Sequence, residues 1–263
     1  MNVEEYERMY ELEGSYWWFQ GRLAIIQAVL DEYLPRAPRA GRVLDVGCGT
    51  GLMLQTLKDW QPIGFDFSPL ALAFCHERGI QGLVRGDVVS LPFADNSLDL
   101  ILALDMMEHV ERDDLLIREF NRVLRPGGVL MATVPAHPSL WSDHDVALHH
   151  FRRYTWQSLR RLLRDGGLKP VKFTHAIFFV HPLIVAFRRI QRAWQRSTGI
   201  RHARAKAHVI PLPRPINAAL IRVLKLEAWL LRRMDLPMGT SLLTLARKAG
   251  PARPLRPRLS VAP

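Results

Sequence analysis

From Arg42 onward the chain alternates short runs of β-branched and aliphatic residues with longer stretches of helical period. The apolar runs 43–46, 62–66, 82–85, 98–103 and 129–134 are predicted strands, and the stretches between them predicted connections. That rhythm requires a parallel, doubly wound sheet with helices on both faces. A helix is expected to open at Asp113 or Asp114, either of which could cap it, and to close at Arg125-Pro126-Gly127-Gly128. Thr155 is expected to cap another helix, ended by Gly166-Gly167, with 168–174 as the next strand. The rhythm then breaks: residues 176–239 hold two amphipathic helical runs, and 240–249 reads as a strand again, so 176–239 is taken as an insertion before the last strand. Ahead of the core, residues 4–34 read as helical, interrupted by Tyr16-Trp17-Trp18-Phe19 and stopped by Pro35 and Pro38.

The expected division is therefore an N-terminal helical and aromatic cap (1–40), a core (41–175), a basic insertion (176–239), the last strand (240–250) and a tail (251–263) whose Pro and Arg content predicts disorder. With 263 residues, the chain can bury one large α/β core without a second domain. It has two cysteines, Cys48 and Cys75, and an acidic start without a signal-peptide pattern, which point to a reducing, cytoplasmic setting. The net charge of +11 is unevenly placed: acidic residues exceed basic ones by five over 1–170, whereas basic residues exceed acidic ones by sixteen over 171–263. Such asymmetry predicts a surface facing something anionic, an acidic membrane or a nucleic acid, or else a solvated basic face. Few aromatic residues accompany the charges, which disfavours nucleic acid. The apolar stretch 176–187 is too short to cross a bilayer; the insertion 176–239 is expected either to lie in an interface, peripheral on the inner membrane face, or to pack on the sheet or on a second subunit.

The chemistry-bearing motif is Val43-Leu44-Asp45-Val46-Gly47-Cys48-Gly49-Thr50-Gly51, a buried strand running into a turn with three alternate glycines and then an apolar helix start. Glycines let a backbone turn tightly and approach a ligand, and the helix expected next would offer free N–H groups. The spacing differs from the dinucleotide fingerprint. Asp66 lies 21 residues after Asp45, at the end of the second strand, where it can accept hydrogen bonds from ribose hydroxyls, and Asp87 lies 21 residues further, where it can meet an adenine amino group.

The run from Val43 to Val134 resembles the class I S-adenosylmethionine-dependent methyltransferases, in particular the broad small-molecule and lipid group. It carries the Asp-x-Gly-x-Gly-x-Gly loop, Glu108-His109-Val110 after the fourth strand, and Arg125 to Gly128 before the fifth. The resemblance implies a Rossmann-like seven-stranded, mostly parallel sheet and S-adenosylmethionine as cofactor. It also implies that the loop of Asp45, Gly47, Gly49 and Gly51 holds the methionine end, Asp66 the ribose, Asp87 and Val88 the adenine, and Leu104 with Asp105 the wall beside the sulfonium, with Phe67 a further cofactor-binding residue. The aromatic run with Arg22 resembles a segment ahead of the core in some of these enzymes. It is expected either to close over the cofactor, with Arg22 meeting a carboxylate, or to staple the N-terminal helix to the sheet.

Four of the ten histidines, His137, His144, His149 and His150, fall in the segment after the fifth strand. The segment resembles a Trp-Ser-x-His-Asp and His-x-Arg-Arg-Tyr-Thr pattern of a bacterial subset, in which a small residue is expected at position 149. Methyl transfer needs alignment and, for a hydroxyl or protonated amine, a proton acceptor. His144, oriented by Asp145, and His150 are the candidate bases, or else groups that fix the loop or bind the acceptor. No metal site is expected, because the spacing matches no zinc motif. The predicted activity is methyl transfer to a small or lipid-linked acceptor; the alternative is a silent cofactor-binding scaffold or sensor.

Overall fold

The computed structural model describes residues 3–34, 41–198 and 212–250. Seven strands form one sheet: β1 (Arg42–Val46), β2 (Gln61–Asp66), β3 (Leu83–Arg85), β4 (Leu98–Leu104), β5 (Leu124–Pro135), β6 (Leu168–Ala176) and β7 (Ser241–Lys248). Their order is β3-β2-β1-β4-β5-β7-β6, parallel from β3 to β5, with β7 antiparallel to both of its neighbours. The sheet is thus the Rossmann-like, mostly parallel one expected, closed by an antiparallel pair. The order reverses between β1 and β4, which opens a crevice at their carboxyl ends, the usual ligand position in such sheets.

Eight α-helices are described: α1 (Val3–Leu12), α2 (Trp17–Tyr33), α3 (Pro69–Glu77), α4 (Asp113–Val123), α5 (Asp143–Ala147), α6 (Trp156–Asp165), α7 (His181–Thr198) and α8 (Arg214–Leu231). Alternate strand residues feed opposite faces. Val43, Leu100, Leu102, Val129, Met131, Leu243 and Leu245 pack against α2 and α8. Leu44, Val46, Ile101, Ala103, Leu130 and Ala132 pack against α4 and α6. Residues buried on both faces explain why the central strands read as continuous apolar runs.

Three local expectations are corrected. The aromatic run does not interrupt the first helical segment; it begins α2. The Trp17 N–H is capped at 2.8 Å by Asn217 of α8, a partner two hundred residues away that local sequence cannot reveal. Neither Asp113 nor Asp114 caps α4 through its side chain. The Asp113 carboxylate is taken by Tyr154 (2.8 Å) and Arg152 (2.7 Å), and that of Asp114 by Arg112. No α-helix follows the glycine loop; a single 3-10 turn, Leu54–Thr56, stands there. Because residues three apart eclipse in 3-10 geometry, Leu54 and Leu57 are both buried without a longer helix.

The second helix of the 176–239 segment is an integral part of the fold. Leu224, Ala228 and Leu231 of α8 are buried in the core shared with α2. The two helices approach so closely that a Cβ on Gly21 would lie 2.1 Å from the Leu224 side chain. The tail expected over 251–263 lies outside the described residues, as do 35–40 and 199–211.

Candidate active site

A cavity of about 1250 Å³ runs along the carboxyl edge of β1, β2 and β4 and on under α1, the start of α2, the 137–153 loop and α7. The glycine loop forms its floor. Gly47, Gly49 and Gly51 all have positive φ (70°, 54° and 85°), the left-handed region where a Cβ is penalised. A Cβ at Gly47 would also lie 2.9 Å from Met106. Asp45 is buried at the end of β1, and loss of hydration, with Asp66 beside it, pushes its carboxyl up to about 7.

Asp66 closes the next strand. Its two oxygens accept from the Gly49 N–H (3.0 Å) and the Ser68 N–H (2.9 Å), so the carboxylate braces the loop. Burial raises its pKa, against the pull of these N–H donors. A carboxylate offers about four lone-pair sites, so these backbone donors do not exhaust its capacity to accept from a ligand's hydroxyls. Phe67, exposed to 72%, and Asp87, Val88 and Leu104 line the same trough. Asp87 accepts from the Val89 N–H at 3.1 Å.

The N-terminal cap covers this trough. Tyr6, Met9, Glu13, Tyr16, Trp17, Trp18, Phe19 and Arg22 all line it, while Trp17 and Trp18 also pack on the core. The two functions expected of the aromatic run are therefore compatible. Glu13, which sequence reasoning did not single out, takes the Thr50 hydroxyl at 2.5 Å and pairs with Arg78, tying the cap to the glycine loop. Arg22 reaches the trough but is held by Asp105 and by the Thr133 hydroxyl (2.9 Å), with the Trp18 ring 5.5 Å from its guanidinium.

At the far end, Asp145 organises the 137–153 loop. It is wholly buried, accepts from the Ser142 N–H (2.9 Å) in a capping box at the start of α5, and meets Arg153 at 2.7 Å and His150 Nδ1 at 3.1 Å. Burial alone would raise its pKa, but the His150 and Arg153 hydrogen bonds prevail and hold it well below the ordinary carboxylate range. The expectation that Asp145 orients His144 is thus corrected. Adjacent helical residues do not face each other, so Asp145 turns to His150 while His144 lines the cavity near Arg188 of α7. Burial, then the Arg188 charge, lowers the His144 pKa to about 4. Its ring is neutral at pH 7 and has a lone pair to accept a proton.

Arg153, which also donates to the Ala136 carbonyl at 3.1 Å, was visible only as part of the Arg-Arg-Tyr motif. The Phe151 N–H donates to the Glu108 carbonyl at 2.8 Å, so the loop is laid directly on the Glu108-His109-Val110 turn. His149 sits at φ 57°, which explains why a small residue is expected there. Because an L side chain in this region costs roughly 1–2 kcal/mol, part of which glycine returns as unfolded-state entropy, His149→Gly is expected to stabilise the fold by up to ~1 kcal/mol. Thermal unfolding of the two proteins checks this; a lowered midpoint contradicts it.

A trough over the switch point of a doubly wound sheet, with a glycine floor and carboxylates ending successive strands, defines a Rossmann-like binder of a nucleoside cofactor. Residues 44–132 match the family described as a methyltransferase domain. A methyltransferase relative from Encephalitozoon cuniculi is 36% identical over 164 residues, 53% of this chain and 74% of that protein. A fatty-acid O-methyltransferase of Mycolicibacterium smegmatis is 37% identical over 99 residues, 35% of this chain and 36% of that protein. Other curated relatives are also matched over only about half of their length. Among solved structures, a methyltransferase of Thermotoga maritima superposes with a TM-score of 0.57 at 18% identity, covering 94% of this chain and 96% of that one. The chain belongs to the class I S-adenosylmethionine-dependent methyltransferases, and its cofactor is S-adenosylmethionine.

Proposed function

We propose that the chain methylates a small amphiphilic or lipid-linked acceptor that enters between the 137–153 loop and α7. The observation carrying this is one cavity that is continuous from the glycine floor to His144 and His150 and bounded by Ile184, Phe187 and Arg188 of α7. S-Adenosylmethionine supplies an activated methyl group. In this assignment Asp45 and the glycine loop take its methionine end, Asp66 and Phe67 its ribose, and Asp87 and Val88 its adenine. Leu104 lies beside the sulfonium, and Arg22, turning from Asp105, meets the methionine carboxylate.

An apolar acceptor fits the entrance. α7 exposes Leu183, Phe187 and Ile190 along one stripe, with Arg188 and Arg189 beside it. Apolar residues flanked by cations match an anionic, acyl-bearing surface. The fatty-acid O-methyltransferase among the relatives supports the same acceptor class. No described helix is long and apolar enough to cross a membrane.

The reaction is a displacement at carbon. The acceptor oxygen or nitrogen forms a bond to the methyl group as the carbon–sulfur bond breaks; a hydroxyl or protonated amine also gives up a proton to His144 or His150, whereas a carboxylate has none to give. The test is formation of S-adenosylhomocysteine with fatty acids and bacterial lipid extracts as acceptors. His144→Gln is expected to lower kcat by ~10²-fold or more while cofactor affinity stays the same. Cofactor binding without turnover on any acceptor pool would instead favour the silent scaffold, and full turnover by both the His144 and His150 variants would overturn the assigned bases.

A further inference from the structure

The histidines assigned above as proton acceptors do not account for everything at the acceptor end. Glu108 is 1% exposed, and its Oε2 has no hydrogen-bond partner among the described residues. A buried carboxylate oxygen without a donor is costly and rare. It faces the cavity together with His109 and His150, whose rings meet edge to face with centroids 4.6 Å apart. One ligand atom from each of Glu108, His109 and His150 can be chosen so that all three lie within 4.8 Å of one another.

We propose that Glu108, His109 and His150 bind a divalent transition-metal cation of the zinc class. Two imidazoles and a carboxylate are an ordinary donor set for such an ion. Tetrahedral bonds of about 2.0–2.1 Å place donor atoms roughly 3.4 Å apart, so small side-chain rotations complete the convergence. The surroundings have the arrangement that metal-bound imidazoles need. His150 Nδ1 is engaged by Asp145 at 3.1 Å, which fixes the tautomer and leaves Nε2 for the metal, and the His109 ring is hydrogen-bonded to the backbone of Leu148. The acids Glu108, Asp105 and Asp145 and the cations Arg22 and Arg153 lie around this point.

The ligands come from two loops 41 residues apart, so no local spacing announces the site where the sequence led to none being expected. Three protein ligands leave at least one coordination position open toward the cavity. The ion would hold an acceptor oxygen there and lower its pKa, and His144 would take the released proton. This deepens the proposed methyl transfer by assigning His150 to the cation and leaving His144 as the base.

The test uses the full chain, stripped by a chelator and titrated with Co²⁺ and, in a second series, with Zn²⁺ by calorimetry. One equivalent of Co²⁺ is expected to give visible d–d bands without a thiolate charge-transfer band. Glu108→Gln, His109→Ala and His150→Ala are each expected to weaken binding by at least ~10-fold, while His76→Ala on α3 leaves it unchanged. Unfolding midpoints verify that each variant is folded; the wild-type spectrum needs no variant. Absence of stoichiometric binding overturns the proposal. So does a thiolate band, which would place the ion on Cys48 and Cys75, or binding that survives all three substitutions, which would place it elsewhere, as at the adjoining His137, His175 and His181. S-Adenosylmethionine affinity measured on the stripped protein separates the two proposals: cofactor binding without metal binding removes the cation and leaves the methyltransferase assignment standing.

Discussion

Glu227→Ala is expected to destabilise the protein by ~3–5 kcal/mol, because it leaves three backbone donors without their acceptor at about 1–3 kcal/mol for each that is buried. Glu227 is a fully buried carboxylate on α8, and its oxygens accept from three successive backbone N–H groups: Ile177 at 2.5 Å, Phe178 at 2.9 Å and Phe179 at 3.3 Å. Ile177 is β-branched and held at φ 62°, a conformation that needs external support. Truncation leaves those N–H groups without their acceptor where β6 turns toward α7. At about 2–4 °C per kcal/mol for a chain of this size, the midpoint is expected to fall by roughly 6–20 °C. Because the same turn positions the α7 wall of the cavity, kcat should fall at temperatures where the variant is still folded. A denaturant titration showing a loss below ~1 kcal/mol would contradict this account of the turn.

Asp66→Ala is expected to have the largest effect on cofactor affinity. Two hydrogen bonds from ribose hydroxyls to a charged carboxylate contribute about 1.5–3 kcal/mol each, so a loss of ~10²-fold or more follows. The alanine variant also loses the acceptors of the Gly49 and Ser68 N–H groups. Asp66→Asn separates the two contributions: it keeps the shape and one acceptor oxygen, so it should retain more fold stability than affinity. Equilibrium binding of S-adenosylmethionine, set beside unfolding midpoints for both variants, checks this. Equal affinity for wild type and Asp66→Ala would remove the ribose assignment.

The central sheet was legible because its strands are buried on both faces, and such strands write their apolar runs directly into the chain. The glycine floor was legible for a related reason: three backbone positions with positive φ tolerate little besides glycine. What escaped depends on partners far apart in sequence. Asn217 capping α2, Glu13 holding Thr50, and Asp145 turning to His150 rather than to its neighbour His144 are all set by packing. The 3-10 turn at Leu54–Thr56 was missed because burying Leu54 and Leu57 fits one short turn as well as a helix. Likewise Glu108, His109 and His150 converge only once the 137–153 loop is laid on the turn after β4.

The central claim is that S-adenosylmethionine lies along the carboxyl edge of β1, β2 and β4, with its ammonium on Asp45. The cofactor-free Asp45 carboxyl titrates at about 7, above its ordinary range, so its stabilising contribution is fully present below the ordinary carboxylate value and is lost as pH rises through about 7. A bound ammonium favours the ionised form. Affinity should therefore rise between about pH 6 and about 7.5, with a proton released on binding in the lower part of that window. Calorimetric titration of the cofactor across that range, repeated in buffers of different ionisation heats, is the most direct test. The predicted result is one site per chain, tightening with pH and losing a proton; no binding, or binding indifferent to pH with no proton released, would contradict it.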